Sequence, residues 1–233
     1  MSTFENTSFP LDDFAGKVRL FPLPNLVMFP HVMQPLHIFE PRYRDLLEES
    51  IADDRLIAMS VLQPNWEKDY DGRPPIYPFA CLGRVATYHR LDDGTYNVLL
   101  LGLRRIRVLQ ELKPVKTYRE AEVELCEDRD PTMPAPLLRT LHRRLREAFI
   151  EFMPALDEAQ EQLDQLLGAD VPLAVLTDVI AYMLEVKVEA KVELLSEVDV
   201  RRRAELLLKH LSKAMEHSSD GTPLVFPPQF SMN

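Results

Sequence analysis

Six histidines (His31, His37, His89, His142, His210 and His217) and two cysteines (Cys81 and Cys126) are the side chains best suited to hold a transition metal. Their spacing does not organise them. There is no H-E-x-x-H and no C-x-x-C, the patterns that bring two ligands to one side of a helix or turn. His31 and His37 are near neighbours, but one lies on a proline turn and the other in an extended run. Packing or hydrogen bonding is their expected role. No serine occupies a G-x-S-x-G elbow. Gly16-Lys17 is followed by Val18, so no G-x-x-x-x-G-K-S/T phosphate loop is present. Carboxylates are abundant, but abundance locates no general acid or base. No catalytic residue, metal ligand or cofactor is assigned, and the expected class is a non-enzyme.

The arginines could instead hold an anion. Arg105 and Arg107 alternate with Ile106 and Val108, and Arg104 stands beside them. Glu120, Glu122 and Glu124 alternate in the same way with Ala121, Val123 and Leu125. Two strands with opposite charges on their wet faces suit each other as neighbours, each cross-strand pair adding about 0.2–1 kcal/mol. A solvated, paired face is therefore expected there, not a phosphate site. Arg139, His142, Arg143, Arg144 and Arg146, and the run Arg201, Arg202, Arg203, are interspersed with acidic residues and are expected on solvated helix faces or in ion pairs. The chain carries 27 basic and 37 acidic side chains, a net charge of −10. That balance disfavours nucleic acid and anionic membranes as partners.

What remains is recognition of apolar surface. Met28 and Met33 flank a proline-punctuated corner with His31 on its turn, and a thioether adapts to varied partners. Gln63–Pro75 reads as a loop, longer than the usual connection of about 4–6 residues, and carries Trp66, the only tryptophan, with Tyr70. Met28, His31, Met33, Trp66 and Tyr70 are the candidate peptide-binding residues. The competing expectation is that Leu26 and Phe29 fill a core and that Trp66 pins its loop as packing.

These residues need strands and corners to place them. Pro22, Pro24, Pro30 and Pro35 interrupt the apolar runs Leu20–Phe29 and Pro35–Phe39. Proline lacks an N–H and fixes φ, so the spacing predicts strands bent around the corners of a small closed barrel. Pro41 then starts a helix, with Tyr43, Leu46, Leu47 and Ile51 on one face. Leu56–Leu62 reads as a buried strand, Phe79–His89 as another, and Asp93-Gly94 as a hairpin turn. Tyr96–Leu101 and Leu103–Leu112 follow, divided at Gly102, and then Tyr118–Cys126. Both cysteines sit in such runs and are expected as reduced core thiols.

From Glu127 to Pro136 the composition turns charged and proline-rich, the mark of a boundary. Helical periodicity follows: Leu138 to Phe152 up to Pro154, Glu158–Leu167 closed by Gly168, a helix capped by Asp170 and carrying Leu173–Leu184, then Lys187–Leu195 and Asp199–His217. The expected division is a β domain over 1–128, a helical bundle over 129–217 and a tail over 218–233 with Leu224, Val225, Phe226 and Phe230. No apolar run reaches transmembrane length and no signal segment opens the chain, so a cytoplasmic location is expected.

The string LFPLPNLVMFP followed by PLHIFEPRYRDLLEE closely resembles the opening of the Lon substrate-binding domain family, in its free-standing bacterial form. Gly83-Arg-Val-Ala, Asp92 to Val108 and Tyr118-Arg-Glu-Ala-Glu-Val are similar to its later strands, in the same order, and Glu189 to Leu207 to its helical part. The resemblance implies an α+β fold, a PUA-like β pseudobarrel followed by a C-terminal helical bundle, with Phe39, Pro41, Tyr43 and Gly102 as structural motif positions. It departs at Val192, where the family pattern has glutamine. In the family this unit precedes an ATPase and a serine–lysine protease module, and neither motif is present in this sequence. The implied function is a noncatalytic module that binds proteins or unfolded, apolar peptide segments, an adaptor in protein quality control; a second copy of the chain is an admissible partner. The alternatives are an RNA- or nucleotide-binding PUA-like protein and a small-molecule sensor with its pocket between barrel and bundle.

Overall fold

The computed structural model describes residues 14–70, 72–152 and 171–217. Six strands form one sheet: β1 (Lys17–Leu23), β2 (Met33–Ile38), β3 (Leu56–Val61), β4 (Phe79–Arg90), β5 (Tyr96–Glu111) and β6 (Arg119–Cys126). Their order is β2-β5-β4-β3-β1-β6, and β5 also pairs with β6. That second pairing closes β1, β3, β4, β5 and β6 into a ring and leaves β2 outside it, attached only to β5. All pairings are antiparallel except β1 with β3. The parallel connection is made possible by α1 (Pro41–Ala52), which lies between β2 and β3 in the chain.

The expected strand Leu20–Phe29 stops at Leu23. Beyond Pro24 the chain leaves the ladder, and Val27, Met28, Phe29 and Val32 bury their side chains from irregular backbone. The division expected at Gly102 is also absent, because β5 runs through it unbroken for 16 residues. Gly102 instead marks where β5 exchanges neighbours, from β2, which reaches Leu101, to β6, which begins at Arg105. The returning segment fills the gap: His31 N–H donates to the Gly102 carbonyl and Gly102 N–H to the Val32 carbonyl, both at 2.9 Å. A Cβ at Gly102 would lie 2.1 Å from the Phe29 carbonyl oxygen. Only glycine allows that approach.

Two apolar clusters follow from ring closure. Val18, Leu20, Ala58, Ala80, Leu82, Ile106, Ala121 and Val123 come from every strand of the ring and fill its interior, with three alanines suiting the narrow bore. The opposite strand faces (Phe21, Leu23, Met59, Cys81) join a larger cluster with α1 and the helices. Tyr43 anchors α1 by donating to the Pro22 carbonyl at 3.1 Å and by setting its ring edge-on to Phe21.

After β6 come α2 (Ala135–Phe152), α3 (Leu173–Met183), α4 (Val188–Ser196) and α5 (Val200–His217). α5 packs on α2 and α3, and α4 lies on β4. Leu145, Phe149, Leu176, Leu207 and Leu211 share the larger cluster with the barrel residues. The fold is α+β, a barrel followed by helices, as expected. The expected helix Glu158–Leu167, the stops at Pro154 and Gly168, the Asp170 cap and the 218–233 tail lie outside the described residues. No helix among the described residues is long and apolar enough to cross a membrane.

Candidate functional site

The ring's inner face does not end with the ring. Ala58 and Leu82 sit opposite each other and point inward. Two residues along, on the same face, Leu56 is opposite Arg84, Arg84 opposite Leu101 and Leu101 opposite Met33. The next row on this face is Thr87, Leu99 and Pro35, and the one after it His89, Asn97 and His37. Here β2 has taken the place of β6 and the ring is open. Met33 is 41% exposed, Thr87 and His89 are exposed, and Pro35, Leu99 and Leu101 are half-buried. The alternate row, Gln34, Leu100 and Val85, is buried against the core behind. A shelf of sheet thus carries Met33, Pro35, Leu99 and Leu101 on its open side. Phe39, 42% exposed, stacks on His37 at its end.

The free edge of this shelf is blunted. Pro35 has no N–H, so in an edge strand it sits where that group would face away from the partner strand. Its carbonyl already accepts from Gln34 Nε2 at 2.9 Å. A chain laid along β2 would find no donor at the middle of the strand, and an acceptor already shared with Gln34.

The expected site residues divide. Met33 lies on the shelf. Met28 does not: at 1% exposure it is a core residue, because the segment after Pro24 folds over the barrel. His31 turns toward the helices, its Nδ1 3.0 Å from Asp178 Oδ2. Trp66 and Tyr70 form a separate group at the start of α1. The Tyr70 hydroxyl donates to Glu40 Oε1 at 2.6 Å, Arg42 lies over the Tyr70 ring, and Trp66 meets that ring edge-on. His37 Nδ1 is 2.9 Å from Asn97 Oδ1, and no group of three or more His, Cys, Asp or Glu among the described residues is arranged to hold a metal ion.

The arginine strand also departs from expectation. Arg107 pairs with Glu124 on the wet face, but Arg105, two residues away, is 2% exposed. The helices cover it there. It grips the wholly buried Asp178 with both terminal nitrogens, reaches Asp128, and donates from Nε to the Leu195 carbonyl at 3.0 Å. Arg203, expected on a solvated face or in an ion pair, takes the second course: it is fully buried and holds Asp128 and Thr177. Burial alone would raise the Asp178 carboxyl, but Arg105, His31 and Arg203 together hold it below the usual carboxylate range. A cleft of about 300 Å³ opens beside this network, lined by His31, Arg104, Cys126, Glu127 and Asp130 among others. Burial pushes the Cys126 thiol up, the wrong direction for a nucleophile.

Leu99, Leu101 and Asp178 were not singled out by pattern. Val98-Leu-Leu-Leu101 is a continuous apolar run, which hides the wet side, and a lone aspartate inside a helical stripe carries no sign of its partners.

A family model described as the ATP-dependent protease La (LON) substrate-binding domain matches residues 17–213. The chain belongs to this family. It is 29% identical over 208 residues to the Lon protease of Anaeromyxobacter dehalogenans (strain 2CP-C), covering 88% of this chain and 24% of that one. To the Lon protease of Xanthomonas oryzae pv. oryzae (strain KACC10331 / KXO85) it is 30% identical over 191 residues, covering 81% and 22%. The chain therefore spans about a quarter of the length of these Lon proteases, the part that the substrate-binding model describes. Among solved structures, the N-terminal domain of Mycobacterium avium complex Lon protease superposes with a TM-score of 0.66 at 16% identity, over 84% of this chain and 98% of that one. A Lon N-terminal domain protein from Xanthomonas campestris gives 0.60 at 25% identity, over 83% and 97%. The Lon substrate-binding architecture of barrel and following helices is thus the fold of this chain.

Proposed function

We propose that this chain is a noncatalytic recognition module that binds exposed apolar segments of other proteins on the shelf of Met33, Pro35, Leu99 and Leu101. The observation that carries the reading is an apolar patch on the open side of a sheet whose other side buries Gln34, Leu36, Val85, Val98 and Leu100, so the patch is held in place before any partner arrives. Pre-formed apolar surface of this kind marks interaction sites. Membership of a substrate-binding family supports the same reading, and recognition of exposed apolar segments is what an adaptor in protein quality control would need.

The test is binding of a permanently unfolded probe, reduced and carboxymethylated α-lactalbumin, followed by fluorescence anisotropy. Wild type is expected to bind, and Leu99→Asp to weaken binding at least tenfold while retaining the native circular dichroism spectrum. Equal affinity for wild type and Leu99→Asp would remove the shelf from the reading. Absence of binding by wild type would remove the function.

The cleft beside the Arg105–Asp178 network supports a second reading, a small polar ligand held between barrel and helices. A metabolite panel that never raises the melting temperature would dismiss it.

A further inference from the structure

We propose that the chain covers its own shelf, with Phe9 and Leu11 of the segment before β1 lying on Leu99, Leu101 and Met33, and that a segment of another protein binds by displacing them. This deepens the apolar-binding reading and rests on it. The observation that carries it is the place where the chain enters the barrel. β1 and β3 are parallel and so start at the same mouth of the ring, and β6, antiparallel to β1, ends there. Phe14 just before β1, Leu56 at the start of β3 and Leu125 near the end of β6 are half-buried and pack against the ring interior. The shelf projects from this same mouth. Arg84, opposite Leu56, leads along β4 to Thr87 and His89, and Leu101, opposite Arg84, leads along β5 to Leu99. Residues 1–13, which precede Phe14, therefore leave the barrel at the foot of the shelf.

Their sequence suits that surface. Phe9, Pro10 and Leu11 form an apolar group between Ser8 and Asp12. A residue before proline is held extended, and alternate residues of an extended chain face the same side, so Phe9 and Leu11 present their side chains together. The spans agree. Five tilted strands about 4.8 Å apart close a ring about 10 Å across, with Leu101 on the wall from which the shelf rises. Leu11 stands three residues before Phe14, a reach of about 10 Å, and Phe9 five residues before it, a reach of about 17 Å. The first matches Leu101, and the second Leu99, about 7 Å further along β5, with Met33 beside Leu101 on β2. Contact through side chains is all that this requires. Pro10 has no N–H to offer a ladder, and the edge of β2 has none at Pro35.

A tethered segment competes through its high effective concentration. Occupying the shelf for between about two-thirds and nine-tenths of the time, it lowers the apparent affinity for other segments about three- to tenfold.

The experiment uses the full chain and two measurements. In the first, methionine methyl groups are carbon-13 labelled and the Met33 signal is assigned with Met33→Leu. Phe9→Leu keeps an apolar contact but removes the ring, and is expected to move the Met33 methyl signal toward that of free methionine while the core methyl of Met59 stays. In the second, anisotropy with reduced, carboxymethylated α-lactalbumin is expected to show Phe9→Ser/Leu11→Ser binding about three- to tenfold more tightly than wild type. A synthetic peptide of residues 1–13 is expected to reverse that gain, and Leu99→Asp added to the double variant to abolish it.

An unmoved Met33 signal in Phe9→Leu, or unchanged probe affinity in Phe9→Ser/Leu11→Ser, overturns the self-covering and leaves apolar recognition standing where Leu99→Asp still weakens probe binding. A gain in affinity that appears instead on Leu224→Ser/Phe226→Ser makes the C-terminal tail the occupant, and the proposal is wrong. It is equally wrong if wild type forms a dimer that Leu99→Asp disperses and Phe9→Ser/Leu11→Ser does not, because the occupant is then a second copy. Probe binding indifferent to Leu99→Asp overturns the apolar reading itself, so the two failures are distinguishable.

Discussion

Asp178 is the residue on which the barrel and the helices agree. Its carboxylate sits out of reach of water between Arg105 from β5, Arg203 from α5 and His31 from the turn after β1. Breaking such a buried pair strands the remaining charges. Asp178→Ala is expected to cost about 3–5 kcal/mol in urea unfolding, whereas Arg201→Ala, on an exposed i,i+4 pair with Glu205, is expected to leave the midpoint unmoved. The Asp178 carboxyl is held low in the folded chain, so its stabilisation is complete above the unfolded-state value of about 3.9. It is lost as pH falls through the lower folded value. Lys191 works in the other sense. Burial brings its ammonium down to about 8, against a smaller opposing effect of Glu185, while its Nζ donates to the Tyr182 carbonyl at 2.8 Å. Between pH 8 and the unfolded-state value of about 10.4 the unfolded chain holds a proton that the native chain has released, so stability rises with pH there. Lys191→Met is expected to stabilise the chain at pH 7 and to lose that advantage by pH 10, as read from thermal midpoints at the two pH values.

At the scale of elements, β5 decides the architecture by serving two partners in succession along one edge. The exchange occurs at Gly102, where the Phe29 backbone passes too close for any Cβ. Gly102→Ala is expected to cost about 1–3 kcal/mol or more, the range for overpacking, and to detach the turn that carries His31. The His31 Hε1 resonance should then move toward the position it takes in Asp178→Ala, where its carboxylate partner is gone. β2 is the exposed edge that results. Pro35 protects it, as proline protects edges generally. Pro35→Thr restores an outward N–H, and light scattering is expected to show concentration-dependent association that wild type lacks.

The whole molecule is held by an apolar cluster that crosses from barrel to helices, joining Phe21 and Met59 with Phe149, Leu195 and Leu207. Arg129 adds a backbone link, bridging to Asp199 at the start of α5. We propose the region near residue 128 as a division in composition whose two sides stabilise each other. A fragment of residues 1–128 is expected to bind an apolar dye strongly and to unfold with a shallower urea dependence per residue than the full chain. An equally cooperative, dye-free fragment would show that the barrel is self-sufficient.

Local rules made much of this legible from sequence. Pro24 and Pro30 announced corners, although Pro22 and Pro35, read in the same way, lie inside β1 and β2; Pro41 announced α1, Asp93-Gly94 a hairpin, and the period of two and then of 3.6 announced barrel and bundle in order. These signals act within a few residues, so the chain carries them in plain view. Which face of a strand is wet, and which cation is buried, depends on what other segments lie across it. Arg105 and Arg107 share a face by parity, yet only the first is covered by the helices. Leu99 and Leu100 are the same residue type, yet only the second faces the core. The sequence by itself determined the relatives and the barrel-then-helices plan. The tertiary structure alone placed Met33 beside Leu99 and Leu101 on an open shelf, moved Met28 into the core and turned His31 to Asp178. Those are contacts between distant segments, and their burial, not their spacing, determines what each residue can do.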